Sequence, residues 1–220
     1  MYQWDFFTVL QSFDLFLRGI WTTLLYTVGS IAIGMVVGLF VAFARLSRFA
    51  ALRILARAYQ EIFRCTPLLM QILWAYYALP LLLGFSISNT TAGLLMLSLY
   101  VGSFYAEIFR GGINAIDKGQ REAALAIGMT GIQAMRYVIL PQAVKKMMPA
   151  FINQSVIQVK NTSLLYAISI AELTYMTSVV NSETYRPLEA YTLAGVMYFV
   201  MLFPLTQFAD MYERRMRRSD

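Results

Sequence analysis

Histidine is absent from these 220 residues, and Cys65 is the only cysteine. A disulfide within the chain is therefore excluded, and a metal site built on His or Cys has almost no raw material. Charged residues make up only 14% of the chain, whereas soluble domains usually carry about 25%. With 59% hydrophobic residues, this deficit predicts a protein embedded in a lipid bilayer.

Other absences exclude further classes. No Gly-Lys pair occurs, so the chain lacks a Walker-type phosphate loop and is not itself a P-loop ATPase. The N-terminus has no basic run, which argues against a cleaved signal peptide. No linker or low-complexity tract interrupts residues 1–220, which are expected to form a single transmembrane domain. The excess of 18 Lys and Arg over 12 Asp and Glu fits membrane orientation better than binding to nucleic acid.

Apolar stretches long enough to cross a bilayer recur along the chain, each approaching the roughly 20 residues that a transmembrane helix needs. We therefore predict an all-α integral membrane protein with about five transmembrane helices. The predicted spans cover residues 17–44, 67–84, 91–109, 147–173 and 191–208.

Basic residues are distributed unevenly between the two faces that these spans define. Most of them lie in the loops after spans one and three or in the C-terminal tail. Because basic residues accumulate on the cytoplasmic side of membrane proteins, the C-terminus is predicted in the cytoplasm and the N-terminus outside. This cytoplasmic set consists of Arg45, Arg48, Arg53, Arg57, Arg64, Arg110, Lys118, Arg121, Arg136, Lys145, Lys146, Arg214, Arg215, Arg217 and Arg218. The outer side carries Glu172, Glu183, Arg186 and Glu189, expected in or beside a hydrated loop or against a partner protein.

Span one carries a small residue at every fourth position, namely Ser30, Gly34, Gly38 and Ala42. These residues share one helix face and allow another backbone to approach closely. The face packs either against another helix of the same chain or against a second subunit, and the spacing alone leaves both open.

A polar, helix-prone segment at residues 117–141 interrupts the apolar chain on the predicted cytoplasmic side. Asp117 and Gln120 have the spacing of a capping box. Gly128 is suited to end the first helix through a left-handed conformation. A second short helix is expected over residues 131–140, ending before a proline.

The first of these two helices carries a small apolar strip, formed by Ala123, Ala124 and Ile127. Such a strip is expected to dock into a groove on a partner protein. Glu122 lies near the start of the helix, where a carboxylate interacts favourably with the helix dipole.

The segment resembles the signature of the permease subunits of bacterial ATP-binding-cassette (ABC) importers, in the branch for polar amino acids. That signature reads here as Glu122-Ala123-Ala124, Gly128 and Val138-Ile139-Leu140-Pro141, with Val138 in place of an isoleucine. Further stretches resemble the same family, and the resemblance covers nearly the whole chain. They are Phe63-Arg64-Cys65-Thr66-Pro67-Leu68, Ala106-Glu107-Ile108-Phe109-Arg110-Gly111-Gly112-Ile113 and Lys160-Asn161-Thr162-Ser163-Leu164, with Cys65 replacing the usual Gly and Asn161 the usual Asp.

The resemblance implies a type I importer fold and a set of partners. In that family two permease subunits, identical or homologous, form the pore, and an extracytoplasmic solute-binding protein delivers the amino acid. Each permease offers its cytoplasmic coupling helix to an ATPase subunit, which binds ATP and Mg²⁺. This chain is then expected to bind no cofactor, to be no enzyme by itself, and to lie in the bacterial cytoplasmic (inner) membrane. The residues implied in coupling are Glu122, Ala123, Ala124, Ile127 and Gly128.

Lys160 lies near the middle of predicted span four. A charged residue in the bilayer centre costs roughly 2.5–3.5 kcal/mol on insertion scales, so it should face protein or a wet cavity. One hypothesis places it on the substrate pathway, with Asn161, Thr162 and Ser163 supplying hydrogen bonds. The alternative is a structural ion pair with Glu107 or another carboxylate.

Polar residues in spans two and three are weaker candidates for the same pathway. Ser103 and Gln71 are predicted either to line it or to serve helix packing, which is the commoner role. Glu107 is predicted to have a structural or gating role. The spacing of three residues predicts local ion pairs for Glu107 with Arg110 and for Glu61 with Arg64.

Two other function classes stay open on the sequence. A secondary transporter of small polar solutes, driven by an ion gradient, usually shows internal repeats, and none is visible here. A membrane scaffold would not need Lys160 in the middle of a span. The identity of the amino acid is not specified, although Lys160 next to Asn161 tilts the expectation towards neutral or acidic substrates.

Overall fold

A computed structural model describes the backbone of residues 2–217 and the side chains of residues 2–214. Within that part of the chain, the secondary structure consists of helices and the turns that connect them. The predicted basic tail includes Arg215, Arg217 and Arg218, whose side chains lie outside the described residues.

The first half of the chain contains predicted spans one to three. Its helices are α1 (Phe6–Leu10), α2 (Phe13–Leu46), α3 (Ala50–Cys65), α4 (Leu68–Leu73), α5 (Leu79–Leu83) and α6 (Asn89–Asn114). A π-helical turn, Trp74–Ala78, joins α4 and α5 into one rod.

The second half begins with the polar segment, which forms α7 (Lys118–Ala126). One continuous helix follows, made of α8 (Gly131–Gln133), a π-helical turn (Ala134–Ile139), α9 (Leu140–Asn161) and a 3₁₀ turn (Thr162–Ile168). The last two helices are α10 (Leu173–Thr184) and α11 (Pro187–Arg217).

Among the described residues, three helices are long and apolar enough to cross a membrane: α2, α6 and residues 187–214 of α11. Two further pairs of helices, each bent at a short break, are long and apolar enough if each pair is counted as one span. The first joins α3 to residues 68–83 at 108°, and the second joins residues 131–168 to α10 at 50°. The prediction of about five spans is confirmed in this form, with two of the five broken.

The predicted loop between spans one and two is largely the helix α3. Its arginines made this stretch resemble a cytoplasmic loop, and Arg53, Arg57 and Arg64 are indeed exposed. The opposite face is buried, however, and donates two hydrogen bonds to α6: the Tyr59 hydroxyl to the Leu99 carbonyl oxygen, and the Gln60 amide to that of Ser103. If α3 and residues 68–83 are one bent span, the predicted residues 67–84 form only part of it.

The predicted helix over residues 131–140 does not stop before Pro141. Its π-helical turn runs directly into α9, and Pro141 occupies the first turn of α9. The wider π-helical hydrogen bonding just before this position accommodates a residue that has no N–H to donate. Most of predicted span four, residues 147–173, therefore lies in the C-terminal part of a longer helix.

That longer helix ends at Ile168 rather than at residue 173. Ser169 adopts a left-handed conformation with φ 57°, and the chain turns into α10. The fully buried carboxylate of Glu172 caps α10, accepting hydrogen bonds from the amides of Thr174 and Tyr175, both at 2.8 Å. This position is thus a buried helix junction and not a hydrated loop.

The beginning of α11 is bonded to the N-terminal residues of the chain. Glu189 is fully buried and accepts hydrogen bonds from the Tyr2 hydroxyl and from the Asp5 amide, the latter at 2.8 Å. Asp5 in turn caps α1, and the Thr8 hydroxyl and amide that donate to it lower the pKa of its carboxyl. The expected exposed loop around Glu189 is therefore a packed junction.

Helices α2 and α6 form the closest helix pair of the fold. The small face of α2 is buried there: a Cβ on Gly38 would lie 2.9 Å from the carbonyl oxygen of Gly102 and 2.7 Å from the Cβ of Tyr105. Gly34 packs one turn earlier, next to Ser98 and Val101, so the two helices run parallel. The small-residue face therefore serves packing within the chain, and the hypothesis of a subunit interface at this face is wrong.

Candidate functional site

Helix α7 begins at the predicted cap residue but not through the predicted capping box. The Asp117 carboxylate accepts a hydrogen bond from the amide of Gly119 at 2.6 Å. Gln120, assigned to the box by its spacing, instead accepts from the Gln142 side chain at 3.2 Å. The box is wrong at this helix because Gln120 bonds across to α9.

A capping box does occur one helix later, at the start of α8. The Thr130 hydroxyl accepts from the Gln133 amide at 3.3 Å, and the Gln133 side chain accepts from the Thr130 amide at 2.8 Å. The Thr-x-x-Gln spacing is the signal that would have located it. The two caps together define a helix, a sharp turn and a second helix.

Gly128 ends α7 in the left-handed conformation that the sequence predicts, with φ 86°. The amide of Gly128 donates to the Leu125 carbonyl oxygen at 3.0 Å, and the amide of Met129 donates to that of Ala124 at 3.1 Å. This pair of bonds is a Schellman motif, which satisfies the last carbonyl groups of the helix. The turn thus holds α7 in a defined direction.

The orientation of α7 corrects the predicted apolar strip. Ala124 is buried against the rest of the chain, with 3% exposure, so it holds α7 in place and is not available to a partner. Glu122, Ala123 and Ile127 are exposed, and 76% of the Ile127 surface is accessible. Ile132 in α8 adds a second exposed apolar side chain nearby in the chain.

A small apolar cluster lies between α6 and α9, at the base of α7. It contains Ile116, Ile139, Ala143 and Met147, all buried. The ammonium group of Lys146 also donates to the carbonyl oxygen of Ala115 at 3.1 Å. The turn that leads from α6 into α7 is therefore attached to α9.

Lys160 lies exposed near the end of α9 and forms no ion pair with any carboxylate among the described residues. The alternative hypothesis of a structural pair with Glu107 is therefore wrong, because Glu107 pairs with Arg110 instead. The Lys160 side chain stands free on the surface of a single subunit. An uncompensated charge at this depth requires a wet cavity or another protein surface beside it.

The three polar residues after Lys160 are only partly available. Thr162 is buried and its hydroxyl donates to the Val159 carbonyl oxygen at 2.7 Å. The Ser163 hydroxyl donates to the Lys160 carbonyl oxygen at 2.7 Å. The Asn161 side chain donates to the Gln158 side-chain oxygen at 3.3 Å and keeps its own oxygen free of partners. Lys160 is thus the exposed residue of this segment, and Asn161 and Ser163 are half-buried.

The structure removes Ser103 and Gln71 from the accessible candidates. Ser103 is fully buried, and its hydroxyl donates to the Tyr100 carbonyl oxygen at 2.6 Å. The Gln71 side chain donates to the Phe63 and Thr66 carbonyl oxygens, at 3.0 and 3.1 Å, and closes the corner between α3 and α4. Both residues serve the packing role in this structure.

Sequence reasoning missed Gln158, a fully buried amide on α9. Its nitrogen donates to the Ser30 hydroxyl at 2.9 Å and to the Leu97 carbonyl oxygen at 3.2 Å, so it joins α9 to both α2 and α6. A glutamine at position 154 shares this helix face, and its amide nitrogen is buried without a partner. The spacing of two glutamines four residues apart was the available signal.

One of the two predicted ion pairs is confirmed. Glu107 and Arg110 form a pair through two hydrogen bonds on α6. Glu61 pairs with Arg57 at 2.7 Å rather than with Arg64. The guanidinium group of Arg64 instead lies over the Phe104 ring, 5.4 Å from its centre.

Comparison with known proteins matches residues 34–218 to the family described as "Binding-protein-dependent transport system inner membrane component". The chain is 34% identical to the arginine transport system permease protein ArtQ of Bacillus subtilis over 98% of its length and 99% of that protein. It is 35% identical to the glutamate/aspartate import permease protein GltK of Escherichia coli, again over 98% and 99% of the two chains.

Among solved structures, the chain is similar to one described as an amino acid ABC transporter with histidines. The sequences are 37% identical, the TM-score is 0.92, and the match covers 97% of this chain and 100% of the other. The bent spans and the short helix between them are therefore features of an architecture already seen in an ABC transporter.

Proposed function

The chain belongs to the family of binding-protein-dependent transport system inner membrane components, and from that premise we propose how its residues carry out transport. It is a permease subunit of an amino acid ABC importer, a multi-pass protein of the inner membrane. We propose that α7 docks on an ATPase subunit, which binds ATP and Mg²⁺, and that the exposed face around Lys160 lines the substrate pathway.

The observation that carries the coupling proposal is the construction of α7. The helix is capped at both ends, packed against the π-helical turn before α9, bonded to α9 through Gln120, and left exposed at Glu122 and Ile127. A short helix held in this way transmits force instead of yielding locally. Glu122 supplies a charged contact to the ATPase, and Ile127 supplies an apolar one.

The orientation proposed from the basic residues agrees with this arrangement. Helices α2 and α6 run parallel, so Arg45 near the end of α2 and Arg110 near the end of α6 lie on the same side as α7. We assign that side to the cytoplasm, which places the N-terminus outside. The solute-binding protein then approaches the opposite side, where α1 and the start of α11 meet.

The pathway proposal requires a second permease subunit, identical or homologous to this one. Lys160 is exposed and Asn161 is partly exposed on a single chain, and a free ammonium group inside the membrane needs a wet surface. A second subunit facing α9 would enclose that surface. The amino acid carboxylate would then meet Lys160, while Asn161 offers an amide.

Affinity purification in mild detergent, followed by mass spectrometry, tests the coupling proposal. We expect an ATPase subunit to copurify with the wild type and to be lost with Glu122→Lys and with Ile127→Asp. The matched control is Glu183→Lys, which makes the same charge change on exposed α10 at the opposite side and should retain the ATPase. Retention of the ATPase by both α7 variants would refute docking through this helix.

The alternative of an ion-gradient-driven secondary transporter is not retained. The family and the relatives above are components of binding-protein-dependent ABC systems. The same preparation, reconstituted in liposomes, separates the two energy sources. We expect amino acid uptake to require ATP on the α7 side and to persist when a protonophore and a sodium ionophore remove the ion gradients.

A further inference from the structure

A polar cavity of about 460 Å³ opens between the ends of α2 and α6 and the length of α3. This volume lies in the range of small-molecule sites. Its lining contains four arginines and two glutamates, together with one amide, one thiol and one aromatic ring. The lining residues are Arg45, Arg57, Gln60, Glu61, Arg64, Cys65, Phe104, Glu107 and Arg110.

The charges of the cavity do not cancel. Two of the arginines are neutralised locally, Arg57 by Glu61 and Arg110 by Glu107. Arg45 and Arg64 have no carboxylate within ion-pair distance among the described residues. Arg64 is held instead by the face of Phe104, which leaves its N–H donors directed to other partners.

The cavity is located between the membrane-spanning part of the chain and the coupling helix. Arg110 is four residues before the end of α6, a rise of about 6 Å along the helix, and α7 begins after a short turn. Arg45 is next to the last residue of α2. A molecule that leaves the spans on the α7 side therefore has this cavity available at the exit.

We propose that the cavity is an exit-side binding site for the zwitterionic head of an amino acid. Arg45 and Arg64 bind the α-carboxylate, for which a guanidinium group offers parallel N–H donors. The carboxylates of Glu61 and Glu107, already held by Arg57 and Arg110, accept from the α-ammonium group. This inference rests on the proposed transport of amino acids, and it adds a second site, separate from Lys160, that recognises what every amino acid shares.

The mixture of charges favours an amino acid over an anionic lipid. A phosphate headgroup is satisfied by the arginines alone and has no donor for the carboxylate oxygens of Glu61 and Glu107. A zwitterion uses both signs within one small volume. The side chain of the amino acid remains unconstrained by these contacts, which suits relatives named for arginine and for glutamate and aspartate.

Cys65 provides a reporter that needs no engineering, because it is the only cysteine of the chain and it lines the cavity. The complex with its ATPase is reconstituted in liposomes, and modification of Cys65 by an anionic and a cationic methanethiosulfonate reagent is followed on this subunit by mass spectrometry. The ratio of the two rates, divided by the ratio for a free thiol, measures the potential at the cavity.

We expect the wild type to favour the anionic reagent and Arg64→Gln to lower the normalised ratio by about 25-fold. Loss of one unit charge at contact distance in wet surroundings slows the anionic reagent about fivefold and speeds the cationic reagent about fivefold. Arg45→Gln should also lower the normalised ratio of the two rates. Arg48→Gln is the matched control, because Arg48 is exposed outside the cavity. A ratio that is equal in the wild type, Arg64→Gln and Arg48→Gln would overturn the proposal.

Ligand protection identifies the occupant. The rate of Cys65 modification is measured with L-arginine, L-glutamate, L-glutamine or L-histidine, and with the α-carboxamide of each. It is also measured with inorganic phosphate, and in liposomes with and without anionic lipid. Protection of Cys65 by a transported amino acid, lost in its α-carboxamide and in Arg64→Gln, supports the site. Protection by phosphate alone, or only in anionic liposomes, assigns the cavity to a phosphate group and overturns it.

ATP-driven uptake of the same amino acids, measured in the same liposomes, separates this inference from the proposed function. Uptake without protection of Cys65 by any transported amino acid refutes the exit site and leaves the transport function standing. An absence of ATP-driven uptake for all amino acids refutes the transport function, and the exit site with it.

Discussion

The backbones of Gly34 and Gly102 lie in contact where α2 packs along α6. A Cβ on Gly34 would lie 3.2 Å from the amide nitrogen of Gly102, and a Cβ on Gly102 would lie 3.1 Å from the carbonyl oxygen of Gly34. Each glycine thus makes room for the backbone of the other. This reciprocal approach brings α2 close enough for Gln158 of α9 to reach both helices at once.

We predict that Gly38→Ala destabilises the subunit by about 1–3 kcal/mol, the usual cost of overpacking. The new methyl group would meet the Gly102 carbonyl oxygen at 2.9 Å, and backbone cannot move aside as the end of a side chain can. Gly195→Ala in α11 is the matched control, because nothing lies within 4 Å of its Cβ position. Thermal denaturation monitored by size-exclusion chromatography should show a lower Tm for Gly38→Ala only.

We predict that Gly128→Ala weakens coupling through the backbone of the turn. Its φ of 86° costs a residue with a Cβ about 1–2 kcal/mol, so the end of α7 would shift or fray. ATP hydrolysis by the reconstituted complex should respond less to the loaded binding protein. Gly128→Asn should restore part of the response, because asparagine tolerates this conformation better.

The control for this turn is Gly131→Ala, which has open space around its Cβ position and no positive φ. It should behave like the wild type. Equal stimulation of ATP hydrolysis in Gly128→Ala and Gly131→Ala would show that the left-handed turn has no part in coupling.

We predict that Lys160→Met lowers amino acid uptake by about ten- to a hundredfold, the factor expected for loss of a hydrogen bond to a charged group. Assembly with the ATPase should be unchanged, because Lys160 makes no contact that holds the fold. Lys145→Met, an exposed lysine on the same helix, should retain uptake. Normal uptake by a normally assembled Lys160→Met complex would end the pathway hypothesis.

We predict that Gln158→Leu destabilises the subunit by about 1–3 kcal/mol, because the buried Leu97 carbonyl oxygen and the Ser30 hydroxyl lose a donor. The change should lower the Tm without altering which ATPase copurifies. Asn153→Leu, an exposed amide on the same helix, is the control and should leave the Tm nearly unchanged. A Tm for Gln158→Leu equal to that of the wild type would show that this junction contributes nothing to stability.

The polar segment was predictable because its structure is set by neighbours in the chain. Asp117 caps α7, and Gly128 ends it, through hydrogen bonds that span two to five residues. The capping-box prediction for Gln120 was wrong for the opposite reason. Its hydrogen-bond partner, Gln142, lies 22 residues away and becomes available only when α9 folds alongside α7. Ala124 was predicted to be exposed and is buried for the same reason, because its neighbours are not adjacent in the chain.

Charge patterns, from which the side of the membrane is predicted, were misleading for local structure. Arg53, Arg57 and Arg64 made residues 50–65 look like a loop, yet the opposite face of α3 is bonded to α6 through Tyr59 and Gln60. One face of α3 lines a polar cavity and the other packs against α6. Such a helix carries too many charges for hydropathy to identify it as part of a span.

The sequence by itself determined the lipid-embedded class, the approximate spans, the helices of the polar segment and the family, because these depend on composition, on local hydrogen bonding and on consecutive motif residues. The tertiary structure decided which face of each helix is available. It turned the small residues of α2 towards α6 and gathered Arg45, Arg64 and Glu107 around one cavity. Among the described side chains it left Lys160 without a paired carboxylate. Such assignments depend on the packing of segments distant in the chain, since a helix exposes only what its neighbours leave uncovered.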